Sequence, residues 1–188
     1  MELNLENLMK TAIEEMENGQ HTEAAKHFDM VVINDASNID APFFRAYCNC
    51  HDIKLGEMSN AAISFTNAFY RYVDAVKALN DTTIEKEKLD YAVTLLTDLV
   101  SMYKLNAKNQ MFTAPSIGIS ISSAATTMNN NCRNKLVTSN ANISEEIMAA
   151  NEENNQSNNK TGLILAALVG IGAIIFILWM IPWEMFYI

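Results

Sequence analysis

The sequence predicts an all-α protein: a helical domain, a polar connector and a single C-terminal transmembrane helix. Apolar residues recur every three and four positions from residue 4 to 107, charge is spread unevenly, and the last two dozen residues are almost wholly apolar. No Val/Ile/Thr alternation interrupts the first zone. The expected divisions are residues 1–107 for the helical domain, 108–160 for the connector and 161–188 for the membrane segment.

Leu5, Leu8, Met9, Ala12, Ile13 and Met16 form the first apolar stripe, with Asn4 as its cap and Gly19 as its stop. A second helix carries Ala24, Ala25, Phe28, Val31 and Val32 and ends in the polar residues 34–38. Gly19, Ala24, Phe28 and Val31 are matched 37 residues later by Gly56, Ala61, Phe65 and Ala68. Physically, such a set supplies a reversing glycine, a small residue where two helices approach, and an aromatic ring between neighbouring hairpins.

Over residues 5 to 79 this pattern resembles the tetratricopeptide-repeat family, in two degenerate copies. The family's period is about 34, so the longer spacing implies an extended connection near Ser37 to Ala41. The resemblance implies a groove lined by the first helix of each repeat, here Met9, Ile13 and Met16, then Phe43, Ala46, Cys50 and Ile53. That lining is apolar and Met-rich, which suits an amphipathic helix from a protein or peptide partner. The subclass that grips a C-terminal carboxylate has Lys and Asn where this chain has Met9 and Ile13, so that activity is not expected. The same side chains could equally be packed by the domain's own later helices. Beyond the repeats, Thr82 and Glu85 offer a capping box for a helix with Leu89, Ala92, Leu95, Leu96, Leu99, Met102 and Tyr103, expected to cap the stack over residues 82–107.

In the connector, Ile117, Ile119 and Ile121 alternate but would form a strand without a partner. Ala124, Met128, Cys132 and Leu136 predict instead a helix over about 121–137, and a second is expected over 144–150. The Asn-rich remainder reads as a solvated spacer.

Leu163 to Trp183 is a run of 21 residues without charge, which at about 1.5 Å per residue matches a hydrocarbon core of roughly 30 Å. Trp179, Trp183 and Tyr187 fall every four residues, where amphipathic rings favour the headgroup region. Lys160 precedes the run and no Lys or Arg follows it, so a tail-anchored, single-pass topology with a cytoplasmic N-terminal domain is expected. A bacterial cell membrane is the expected location, because the basic residues that mitochondrial outer-membrane anchors favour are missing after the run. Gly162, Ala166 and Gly170 form a small-residue stripe on which a second copy's helix would pack, although such residues are common in membrane helices anyway.

The net charge is −9, and residues 1–107 hold 17 Asp or Glu against 9 Lys or Arg, a balance that repels phosphate backbones and argues against nucleic acid. The opening MELNLENLMK has neither the basic start nor the apolar run of an export signal. Three cysteines, Cys48, Cys50 and Cys132, are an odd number without framework spacing, as expected of thiols kept reduced. Cys48, Cys50 and His51 lack the spacing of a metal knuckle, and His21 and His27 are expected at the surface. No phosphate loop, nucleophile elbow or zinc-protease motif is present, so neither enzyme activity nor a cofactor is expected. A membrane-anchored adaptor is the leading expectation; a non-catalytic subunit of a membrane complex, assembled through its span, is the alternative.

Overall fold

The computed structural model describes residues 4–144, and these residues form six α-helices and one short 3₁₀ turn with no strand among them. The first helix, α1 (Leu5–Glu17), starts where the Asn4 side chain accepts a hydrogen bond from the Asn7 amide at 3.0 Å. It stops because Gly19 takes φ +76°, letting the amides of Gly19 and Gln20 reach back to the Met16 and Glu15 carbonyls. The chain then reverses into α2 (His21–Asn34), which buries Ala24, Phe28 and Val31.

Asn38 accepts hydrogen bonds from the Asp40 and Ala41 amides and opens α3 (Asp40–Cys48). After a loop and the turn Leu55–Glu57 comes α4 (Met58–Ala78), then α5 (Thr82–Gln110) and α6 (Pro115–Thr138). Asp81, rather than Thr82, caps α5: its carboxylate accepts from the Thr83 and Ile84 amides. Glu85 is buried instead, accepting from Lys77 and from the Asn142 amide.

The helices pair as three successive antiparallel hairpins, α1–α2, α3–α4 and α5–α6. Hydrogen bonds between Ser59 and Ser120 and from Tyr70 to the Asn131 carbonyl, with the Lys135–Asp74 ion pair, link residues 61 apart each time. A constant offset means that α4 and α6 run parallel. Similarly Lys88 meets Asp40, Tyr91 meets Phe44 and Asp98 meets Tyr47, so α3 runs parallel to α5.

This arrangement corrects the division at residue 107, which falls inside α5; the compact unit runs to Ser144. The helix expected over 121–137 begins six residues earlier, at Pro115, and it belongs to the compact unit rather than to a connector. Gly118, Ile121, Ala125, Met128, Cys132 and Leu136 bury its inner face, and a Cβ added at Gly118 would lie 2.9 Å from the Ala107 carbonyl oxygen. The helix expected to cap the stack therefore has a hairpin partner of its own.

Phe43 is the centre of the core. Its ring stacks on Tyr72 at 4.3 Å and 10°, and Phe44, Phe65 and Phe69 surround it at 5.6 to 6.0 Å. The aligned positions of the two matched hairpins are not equivalent in detail. Ala24 is fully buried, whereas its counterpart Ala61 is only half-buried and Ala62 takes the inner position; Gly56 sits in the 3₁₀ turn without the positive φ of Gly19. Residues 161–188, including Gly162, Ala166 and Gly170, lie outside the described residues, as does nearly all of the 144–150 segment. No helix among the described residues is long and apolar enough to cross a membrane.

Candidate functional site

The seven residues expected to line a groove divide by depth. Met16, Phe43 and Cys50 are buried, with relative exposures of 4%, 1% and 1%. Phe43 belongs to the aromatic core, and the Cys50 thiol lies within hydrogen-bond distance of the Ala46 carbonyl on α3 and of the Ala61 carbonyl across the α3–α4 hairpin. Met9, Ile13, Ala46 and Ile53 are half-buried. Periodicity finds an apolar face but not how deep it lies, because depth depends on helices distant in sequence.

Two depressions among the described residues include expected groove positions. Met9 and Ile13 line one of about 650 Å³ on α1, together with Lys10, Glu14, Asp35 and Asn38. The other, about 630 Å³, runs between α3 and α4 past Pro42, Ala46, Asn49, Ser64, Ala68 and Arg71, with Phe43 and Cys50 at its floor. The two share no lining residue. Both are shallow and carry a mixed apolar and polar wall, the kind of surface that takes a helix or peptide rather than enclosing a small molecule.

The chemistry-bearing side chains are held quiet. Burial pushes the thiols of Cys48, Cys50 and Cys132 up to about 12, so all three are protonated at neutral pH. Three buried tyrosines likewise have their hydroxyls held neutral, chiefly by burial: Tyr47 donates to Asp98 at 2.7 Å, Tyr72 to Asp40 at 2.8 Å and Tyr103 to the Met58 carbonyl at 2.9 Å.

One cluster escaped the sequence reading. His21, expected at the surface, is half-buried and stacks on His51 with ring centroids 3.7 Å apart, and Tyr47 meets both rings edge-on. His21 Nδ1 and His51 Nε2 are buried without a hydrogen-bond partner. His27 is also half-buried, with Nδ1 2.6 Å from Glu15. Burial lowers the pKa of both stacked rings, that of His51 to about 4, with the neighbouring His21 adding to the effect there. Two stacked imidazoles cannot both direct an in-plane lone pair at one ion, and no group of three or more His, Cys, Asp or Glu fit to hold a metal occurs among the described residues. The cluster joins the two hairpin turns; Thr22 reaches Asp52 at 3.3 Å beside it.

The fold and these surfaces define a class: an array of helical hairpins with shallow, partly apolar depressions. Compared with known proteins, the chain matches no family model, no curated protein and no solved structure.

Proposed function

We propose that this protein is a membrane-anchored adaptor: residues 163–183 hold it in a bilayer and the helical hairpins recruit a protein partner. The observation that carries this reading is the uncharged run of 21 residues from Leu163 to Trp183, long enough to span a hydrocarbon core of roughly 30 Å. The three-hairpin arrangement supports it further, since three stacked units are about the minimum for a repeat array of tetratricopeptide type to bury a continuous core. The partner surface we assign is the α3–α4 depression around Ala46, Ser64 and Arg71, rather than the buried Met16, Phe43 and Cys50. The chain is not proposed as an enzyme, and nucleic acid is not proposed as a partner.

Membranes from cells making the full chain, washed with alkaline carbonate, test the anchor. Retention in the pellet is the expected result, and release of the monomeric chain into the supernatant would remove the reading. For the partner surface, the full chain in mild detergent is compared with an Ala46→Arg, Ser64→Arg variant. Loss of a co-purifying protein with unchanged circular dichroism is expected; identical co-purification would end the assignment to this depression.

A further inference from the structure

The α5–α6 corner is the most exposed apolar feature among the described residues. Phe112 is 93% exposed at its apex, and Leu105, Ile117 and Ile119 stand exposed on the helices either side. The corner is built rather than frayed. The Ala114 amide bonds the Gln110 carbonyl at 2.8 Å, Pro115 starts α6 at its first turn, and Gly118 lets α6 close onto the last turn of α5. A soluble surface gains nothing from presenting a phenylalanine this way, and clustered exposed apolar side chains mark a surface that is covered in use.

Charge says what covers it. Residues 1–98 contain 17 Asp or Glu and 8 Lys or Arg, whereas residues 99–144 contain no acid and four bases, Lys104, Lys108, Arg133 and Lys135. Lys108 is exposed one turn before Phe112 and makes no ion pair with a described residue. From Asn109 to Cys132 the chain carries no charge of either sign, and the outward positions of α6 near the corner are Ser116, Ser120, Ser123 and Thr127 beside Ile119. On the α4 side, where Ser59 meets Ser120, Lys54 and Glu57 just before the helix supply one charge of each sign. An apolar apex with a cation behind it, and no acid on α6 or on α5 beyond Asp98, matches an anionic lipid interface. A second copy is less well matched, because no other described residue offers a comparably exposed aromatic ring to cover the corner.

We infer that the Met111–Ile119 corner is a second membrane contact, in which Phe112 enters the headgroup region of an anionic bilayer while Lys108 faces the phosphates. This rests on the membrane-anchored reading for proximity to lipid. Residues 145–162 extend to about 60 Å at most, more than the roughly 36 Å length of α6, so chain length permits it.

The test uses the full chain with Phe112→Cys carrying an environment-sensitive fluorophore, and a control with the same label at Ile33→Cys on α2, which is 75% exposed. Each is reconstituted into vesicles of phosphatidylcholine alone or with phosphatidylglycerol. In anionic vesicles the label at 112 is expected to be quenched by lipid-borne nitroxide and shielded about threefold from aqueous iodide, while the label at 33 is not. Lys108→Glu is expected to weaken the anionic preference about fivefold. Equal iodide access at 112 and 33 in anionic vesicles overturns the inference. So does shielding at 112 that appears without lipid and grows with protein concentration, which would assign the corner to a second copy. Carbonate extraction of the same vesicles separates this from the anchor. A carbonate-resistant chain with an accessible residue 112 keeps the anchor and loses the corner. A carbonate-extracted chain whose residue 112 is lipid-shielded at neutral pH does the reverse.

Discussion

The ring of Phe43 lies parallel to that of Tyr72 with centroids 4.3 Å apart, which closes the hairpin of α3 and α4 around a residue that the repeat pattern assigns to a binding face. Tyr72 in turn donates its hydroxyl to Asp40, one turn before Phe43, so the stack is fixed at its edge by a hydrogen bond. Truncating Phe43 to alanine leaves a void among four aromatic rings and should cost about 3–5 kcal/mol, read as a fall in the urea midpoint with an unchanged slope. A cost below about 1 kcal/mol would mean that the side chain is exposed in solution.

Asp40 collects three hydrogen bonds, one from Tyr72 and two from Lys88, at 2.7 to 2.8 Å, and it sits in the first turn of α3 where a negative charge is favoured. Replacing it with alanine strands a buried hydroxyl and unpairs a half-buried lysine. A loss of about 2 kcal/mol is expected by thermal or urea unfolding, with Asp40→Asn recovering part of it.

The three described glycines should respond differently to alanine. At Gly118 the new methyl meets the Ala107 carbonyl oxygen at 2.9 Å, so α6 must move off α5 at a cost of about 1–3 kcal/mol. Gly19 has room for a methyl but needs φ +76°, and alanine there should cost about 1 kcal/mol. At Gly56 there is open space and no positive φ, and alanine should be neutral or slightly stabilising. Equal effects at 19 and 56 would restore the equivalence of the two turns.

The His21–His51 stack sets a pH dependence. His51 titrates near 4 when folded against an ordinary value of 6.5, so between those pH values the unfolded chain binds the extra proton. Stability from this group is whole above about pH 6.5, falls as pH drops towards 4, and changes no further below that. The full shift corresponds to about 3 kcal/mol, and because the ring is only partly buried, solvent screening brings the expected total to on the order of 2 kcal/mol. Urea midpoints measured from pH 7.5 to 4 should show this slope, and His51→Phe, which keeps a flat ring against His21, should flatten it.

The helices and several of their ends were legible because the forces that set them are local. Asn4 caps α1 from three residues away, Gly19 ends it, and the three-and-four spacing of Leu89, Ala92, Leu96, Leu99 and Tyr103 is enough to mark α5. What misled was α6. Its first turns alternate Ile with Ser and Gly and carry no charge, so along the chain they suggest a partnerless strand until α4 and α5 supply the surface on which Gly118, Ile121 and Ala125 pack.

The sequence alone therefore determined the helical character of residues 4–107, the first hairpin's turn and the acid-free composition of residues 99–144, since each depends on neighbours within a turn or two. Only the tertiary structure decided that Met16, Phe43 and Cys50 lie inside, that His21 meets His51, and that α6 runs parallel to α4. Those outcomes are set by contacts between residues 11 to 61 positions apart, where packing chooses among apolar and polar faces that look alike along the chain.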